Sequence, residues 1–225
     1  MDSANLFASF FERNLQKEQI IISPAIEIKF FSRPKILKKT TNLIFTSSNG
    51  VKAAGQAVND NIRAICVGDR TTSLASSLGY SAEKYGDNVE QLIKKLCLSK
   101  KIEGDILHIR GKYTKVDLMN RLRKAGFLCH EWEGYDQIAK NLSFQALNAF
   151  KNGEKIILPI FSERSGRLLK DQIPNFDKSH IIAISSAVAN VFLDVSPASI
   201  SEAHTPDLVG MRSSTKTVLE NAHLE

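Results

Sequence analysis

Short apolar runs rich in β-branched residues alternate with stretches of helical periodicity along almost the whole chain, and nothing else restricts the fold as much. "RAICVGD" precedes the helical "TTSLASSLG", which stops at Gly79, and "NVEQLIKKLCL" sets Val89, Leu92, Ile93 and Leu96 on one face. "GDILHIRGK" reads as a strand, and "VDLMNRLRKAG" aligns Leu118, Leu122 and Ala125 before a stop at Gly126. Then come a helix through Phe144, Leu147 and Phe150, the strand "KIILPIF", the helix "GRLLKDQI" and the strand "HIIAIS". The helix "SAVANVF" and a C-terminal helix after Pro206 complete the order. Parallel strands need crossovers, and helices are the usual ones, so this alternation predicts α/β architecture on mainly parallel sheets.

One unit occurs twice. In "LIFTSSNGVKA" the run Leu43-Ile44-Phe45 ends in Thr46, Ser47, Ser48 and Asn49, and Val51, Ala54 and Val58 follow Gly50 at helical spacing. "LPIFSERSGRLL" has the same plan, with Phe161 matching Phe45, Ser162 matching Thr46 and Gly166 matching Gly50. About twenty residues after each comes another apolar strand ending in small polar residues, "AICVGDRTTSLA" and "IIAISSAVANVF". Two similar α/β domains explain the repetition. A third match, "MNRLRKAGFLCHEWEGY" with "ASFFERNLQKEQIIISPAI", gives helix, turn and extended strand in both copies. The extended pieces "IIISPAIEIKF" and "FLCHEWEGYDQI" fall where one repeat hands over to the next, and are expected to pair as linker strands. In the later copy the strand "DILHIRG" precedes the helix. The helix at Ser3 to Asn14 has no such strand before it, so either residues upstream of Met1 are expected to supply a first strand or another segment is expected to fill that slot.

Composition narrows the class of partner. At 43% hydrophobic and 24% charged, the 225 residues are those of an ordinary soluble globular protein. No apolar run approaches the roughly 20 residues of a membrane span, and the N-terminus lacks a signal-peptide layout. Cys66, Cys97 and Cys129 lie far apart without a C-x-x-C pair, which fits buried thiols in a reducing cytosol rather than disulfides or zinc. His108, inside a strand, is expected to pack in the core. A formal charge of +6 and a pI near 9.2 favour acidic partners. The basic residues are dispersed, with small clusters such as "KKL" and "RPKILKK" and no nucleic-acid-binding motif, so a small polyanion fits the same charge. Hydroxyls, an amide and free N–H groups at a helix start make either a plain capped loop or a seat for an anion.

The ordered succession of "PAIEIKF", "LIFTSSNGVKA", "CVGDRTTSLASSLGY", "ILHIRGKYTKVDLMNRLRKAGF" with a following tyrosine, "IAISSAVANVF" and "EAHTPDLVGM" resembles the uroporphyrinogen-III synthase family over nearly the whole chain. The resemblance implies two flavodoxin-like parallel-sheet domains joined by a two-stranded β linker, with the active site in the cleft between them. One domain would be discontinuous, residues 1–24 with 138–225. The inserted domain would be 30–132, and the linker strands would lie at about 25–30 and 128–137. The implied substrate is hydroxymethylbilane, a linear tetrapyrrole with an acetate and a propionate on every ring. It is closed to uroporphyrinogen III with inversion of the last ring and loss of water. The implied protein is a cytoplasmic monomer without metal or organic cofactor. It would touch the preceding enzyme of its pathway in passing, and would bind neither nucleic acid nor membrane.

So many carboxylates need many donors. By the resemblance, Thr46, Ser47, Ser48 and Asn49 line one side of the cleft, with Thr71 and Arg110, Gly111 and Lys112 nearby. Ser162, Arg164, Ser165, Ser185 and Ser186 face them from the other domain. Tyr135 in "HEWEGYDQI" corresponds to the family's main acid candidate. Expulsion of the substrate hydroxyl as water leaves a delocalised cation that attacks the far ring in a spiro-type rearrangement, and a tyrosine holds a proton at neutral pH to assist that departure. The other reading of Tyr135 is a linker aromatic that packs and binds without proton transfer. The partner of Thr71 in the second domain falls on Ala187 or Val188, where some members have threonine. A flavin or nucleotide binder on a flavodoxin-like fold is the first rival; no G-x-G-x-x-G or Walker A loop supports it. A non-catalytic two-domain binding protein is the second, and the presence of Tyr135 and the paired loops speaks against it. A hydrolase using Ser165 or Ser186 has no G-x-S-x-G and no placed His or Asp.

Overall fold

The computed structural model describes residues 3–12, 20–34, 40–58, 61–99, 102–114 and 117–222. The chain divides into two compact units, Met1–Glu27 with Ala139–Glu225 (the terminal unit) and Ile28–Ile138 (the inserted unit). Both are α/β with parallel strand pairing.

Six strands, β1 (Ile26–Phe30), β2 (Asn42–Phe45), β3 (Arg63–Val67), β4 (Ser81–Gly86), β5 (Ile106–Gly111) and β6 (Cys129–Ala139), form one sheet in the order β1-β6-β5-β2-β3-β4. The β2–β3, β2–β5, β3–β4 and β5–β6 ladders are parallel. Crossovers are α2 (Ser48–Ala54), α3 (Asp69–Ser77), α4 (Val89–Ser99) and α5 (Leu118–Lys124). Helices on both faces explain why β2 is buried at every position and why its sequence is an unbroken apolar run after Asn42. The two-residue side-chain period then divides the core. Leu43, Phe45, Ala64, Leu107 and Ile109 pack on one face, and Ile44, Ile65, Leu92, Leu96 and Leu122 on the other.

The second expected linker strand is also an inner strand. Between Cys129 and Tyr135, β6 pairs with β5, from Ile106 opposite Cys129 to Gly111 opposite Tyr135. On its other side the Phe31 N–H donates to the Gly134 carbonyl and the Lys140 N–H to the Ala25 carbonyl, so the chain there runs antiparallel to β6.

In the terminal unit β7 (Ile156–Ile160), β8 (Ser179–Ala183) and β9 (Ser199–Glu202) pair in parallel in that order. Around them lie α1 (Ser3–Ala8), α6 (Phe144–Lys151), α7 (Glu163–Lys170), α8 (Ser186–Ala189) with a tighter turn at Asn190–Phe192, and α9 (Leu208–Ala222). Ile160, Leu169, Phe176, Ile181 and Phe192 build one core cluster, and Phe7, Phe11, Ile182 and Met211 another. Among the described residues β7 has one strand neighbour where β2 has two, and Pro159, lacking an N–H, suits such an edge.

Several expectations are corrected. Helix α2 ends at Ala54 because Gly55 takes φ 69 and caps back to the Val51 carbonyl, so Val58 lies outside the helix and is 59% exposed. Helix α6 runs through Phe144, Leu147 and Phe150 as expected, with Leu147 and Phe150 packed on the core beside buried Ala146 and Ala149, but Phe144 itself is 80% exposed. Strands β4, "SAEKYG", and β9, "SISE", were not anticipated, because edge strands this polar carry no apolar run. Cys66 and Cys129 are buried, but Cys97 is exposed. The first helix ends at Ala8, and Asn14 lies outside the described residues, as do residues 35–39 of "RPKILKK".

Candidate functional site

In open parallel sheets ligands sit at the carboxyl ends of the strands, where the strand-to-helix loops gather. In the inserted unit Thr46 and Ser47 follow β2, and Gly68 to Thr71 follow β3. Arg110, Gly111 and Lys112 close β5, with Tyr135 in register opposite Gly111. The sheet therefore brings these residues to one of its edges.

Ser47 is the N-cap of α2, in extended backbone with φ −159 and ψ 148, and its Oγ accepts the Asn49 N–H at 3.0 Å. The same oxygen lies 3.3 Å from Tyr135 Oη. Tyr135 is 7% exposed, and its ring packs in the cluster that holds Phe45, Val51 and Ile109. A Cβ on Gly111 would stand 2.8 Å from the Tyr135 ring, so the ring's seat requires glycine there. Gly50 plays a related part for the helix: a Cβ on it would stand 2.7 Å from the Ile109 carbonyl oxygen, and its absence lets α2 close onto β5.

His108 on β5 is 4% exposed, with Nε2 3.3 Å from Thr46 Oγ1. Burial pushes its pKa down to about 4, which keeps the ring neutral at neutral pH. The Thr46 hydroxyl is thus tied to a neutral imidazole, a link that sequence reasoning missed although it placed His108 in the core. Arg110 forms ion pairs of 3.0 Å with Glu131 and with Glu133, and donates to the Gly111 carbonyl at 2.9 Å. Hydrogen bonding to Glu131 raises its pKa further above the usual arginine value. Its charge is committed to β6, and it braces the turn that carries Gly111. Lys112 is half exposed, 3.7 Å from Asp136. Thr71 is buried in the first turn of α3, and Ser48 and Asn49, the first residues of α2, are half-buried.

In the terminal unit Ser162, Arg164 and Ser165 follow β7, and Ser185 and Ser186 follow β8. Ser162 caps α7 with φ −160 and ψ 148; its Oγ accepts the Ser165 N–H at 3.1 Å and lies 2.8 Å from Ser165 Oγ. Ser185 caps α8 with the same extended backbone but without a side-chain cap bond, and Ser186 is exposed. The caps also correct the repeat register. Ser47, not Thr46, is the counterpart of Ser162, and the matched glycines fall three and four residues beyond their caps. Counting likewise from the caps Gly68 and Ser185, the counterpart of Thr71 is Val188, buried and without a hydroxyl. Sequence reasoning singled out no cap after β9. There Asp207 accepts the Gly210 N–H at 2.8 Å and the Thr205 hydroxyl at 3.1 Å; that backbone N–H bond holds its pKa below the usual carboxylate range. The signal was the Thr-Pro-Asp ahead of the helix.

The uroporphyrinogen-III synthase HemD family model matches residues 13–211, which include both sets of loops. This chain belongs to that family. The fold of this family member is similar to the crystal structure of uroporphyrinogen-III synthetase from Helicobacter pylori 26695, at 17% identity over 86% of this chain and 91% of that one, with a TM-score of 0.66. It is also similar to a mutant uroporphyrinogen III synthase from the extremely thermophilic bacterium Thermus thermophilus, at 12% identity over 97% and 95% of the chains and a TM-score of 0.55. At such identities the likeness concerns the fold. No curated protein matches the chain. Among the described residues of this family member, no group of three or more His, Cys, Asp or Glu is placed to hold a metal ion, and no helix is long and apolar enough to cross a membrane.

Proposed function

We propose that this family member is a uroporphyrinogen-III synthase, a hydro-lyase of tetrapyrrole biosynthesis that cyclises hydroxymethylbilane with inversion of the last ring and loss of water. Family membership over residues 13–211 supports the reaction class. The observation that carries the reading is the Tyr135 hydroxyl 3.3 Å from Ser47 Oγ, beside the carboxyl ends of β2 and β5. Tyr135 donates a proton to the departing hydroxyl, the carbon–oxygen bond breaks and water leaves. The cation left on the chain then attacks the far ring. Thr46, Ser48, Asn49, Thr71 and Lys112 from the inserted unit serve the substrate carboxylates, and so do Ser162, Arg164, Ser165, Ser185 and Ser186 from the terminal unit. The remaining task of the protein is to hold the chain folded and keep water from the cation. The reading includes a cytoplasmic monomer that needs no cofactor.

The test is a coupled assay with freshly generated hydroxymethylbilane and separation of the product isomers. Type III product in excess over the spontaneous type I product is expected. A protein that leaves only type I ends this reading.

A further inference from the structure

Resting on that synthase reading, we propose that Ser47 is a positioning residue: its hydroxyl donates to Tyr135 Oη, frees the phenol proton for the substrate and holds the phenolate that remains. Three observations converge on it. The Asn49 backbone N–H only donates, so at 3.0 Å it fixes Ser47 Oγ as an acceptor on that side. The serine proton is then left for its other neighbour, Tyr135 Oη at 3.3 Å. Among the described residues this is the side-chain hydrogen-bond contact of the Tyr135 hydroxyl. A chain running Asn49 N–H to Ser47 O–H to Tyr135 O–H points every donor the same way, and each bond polarises the next. With the opposite orientation the tyrosine proton would be spent on Ser47, and the serine proton of this half-buried residue would turn to solvent instead of the phenol oxygen. Gly111 completes the arrangement, since a Cβ there would come within 3.2 Å of the Tyr135 hydroxyl oxygen and 2.8 Å of the ring.

The step balances without a co-reactant. The Tyr135 O–H bond breaks and its proton joins the substrate hydroxyl. The carbon–oxygen bond cleaves with its electron pair leaving on water. The cationic carbon bonds to the substituted carbon of the far ring, giving the spiro-type intermediate. The bond from that carbon to its original bridging methylene breaks, and the freed cationic methylene bonds to the ring's unsubstituted carbon. The proton lost from that carbon returns to the phenolate. The Ser47 hydroxyl supports the phenolate while it carries charge, a preorganised donor of the kind that acts where charge develops. Ser47 is thereby reassigned from contact with substrate to contact with the acid.

Ser47→Ala, Ser47→Thr, Tyr135→Phe and the Ser47→Ala/Tyr135→Phe double variant test this. Ser47→Ala is expected to lower kcat on the order of tenfold with KM within about twofold, the pattern of an interaction made in the transition state. Ser47→Thr restores most of that loss, and the double variant is no slower than Tyr135→Phe alone. In protein with isotope-labelled tyrosine, the Tyr135 ring resonance moves in Ser47→Ala and stays in place in Ser162→Ala, a readout that needs no turnover. If Ser47→Ala raises KM at constant kcat, or the two losses multiply in the double variant, Ser47 acts on the substrate and the inference is overturned. An unmoved Tyr135 resonance, in a protein whose wild type forms type III product, overturns the inference alone. A wild type that forms only type I overturns the synthase reading beneath it.

Discussion

Ser47 and Ser162 cap their helices with nearly identical backbones, φ −159 and ψ 148 against φ −160 and ψ 148, yet their hydroxyls end in different company. Ser162 closes on Ser165 within its own first turn. Ser47 makes its cap bond and also reaches Tyr135, which β6 delivers beside β5. Strand, cap and helix are thus a property of the fold, and chemistry enters through the strand placed next to them. Charge divides the units in the same sense. The inserted unit has 19 Lys and Arg against 11 Asp and Glu; the terminal unit has 11 against 13. On the proposed function the inserted unit supplies the proton and most of the positive field, and the terminal unit supplies serine hydroxyls with Arg164.

Tyr135→Phe is the largest test of that asymmetry. It should lower formation of type III product on the order of 10²-fold in kcat, the scale of a positioned acid, while far-UV circular dichroism stays that of the wild type. Ser162→Ala in the other loop should cost no more than about tenfold, appearing in KM, as for one lost neutral donor. Comparable kcat losses in the two variants would break the comparison. The type I isomer should rise as either enzyme slows, because unconverted substrate cyclises without inversion.

Acid should separate the units next. The folded His108 pKa is lowered from 6.5 to about 4, chiefly by burial. Below pH 6.5 the unfolded chain takes up a proton that the folded unit refuses until about pH 4. The unfolded state therefore binds more protons across this window, and stability rises with pH through it and is lost as pH falls. The full effect is roughly 3 kcal/mol. Among the described residues no histidine of the terminal unit is buried. The single tryptophan, Trp132, lies in the inserted unit, so its fluorescence reports that unit's urea midpoint. The midpoint should fall between about pH 7 and about pH 4.5, and His108→Gln should flatten the dependence.

Two glycines sharpen the comparison with smaller effects. Alanine at Gly50 would place a methyl 2.7 Å from a backbone oxygen of β5, which has little room to yield, and should destabilise by about 1–3 kcal/mol. Alanine at Gly166 would meet the Phe192 ring at 3.0 Å, and a ring can tilt. With up to about 1 kcal/mol of helix propensity gained, that substitution should be near neutral. Denaturant midpoints read by Trp132 fluorescence for Gly50→Ala, and by circular dichroism for Gly166→Ala, give the two values; an equal loss would mean that both helices press on equally rigid neighbours.

The sequence carried the strand and helix order because the buried strands are apolar runs and several helices end at glycines such as Gly79 and Gly126, with φ 86 and φ 91. It did not carry β4 and β9, whose polar residues reflect edge positions that no local pattern encodes. It misplaced the repeat by one residue because Phe and Gly were matched where the cap sets the register. The candidate loops were legible as clusters of Ser, Thr and Asn. Their wiring was not: Ser47 to Tyr135 spans 88 positions and Thr46 to His108 spans 62, and only the sheet order joins them. Arg110 illustrates the same limit, since a basic residue at a strand end invites an anion, and its partners Glu131 and Glu133 come from the neighbouring strand.

The smallest effect concerns Thr71 and Val188, which occupy the same place after their caps in the two units. Thr71→Val keeps the shape and removes one hydroxyl, worth roughly 0.5–1.5 kcal/mol, so KM should rise by no more than about tenfold with kcat little changed. Val188→Thr runs the experiment in reverse by adding a hydroxyl at a position only 3% exposed. If the terminal loop works through Ser185 and Ser186 alone, the added group finds no substrate and destabilises the unit by about 1–3 kcal/mol as an unsatisfied buried hydroxyl, with KM within about twofold. A fall in KM for Val188→Thr would mean that the terminal unit binds through this position too, and that its valine marks a lost contact. A double variant exchanging the two side chains then decides whether the hydroxyl matters by its unit or merely by its presence: recovery of the wild-type KM in Thr71→Val/Val188→Thr would make the two loops interchangeable, whereas a KM that stays raised would tie the hydroxyl to the inserted unit.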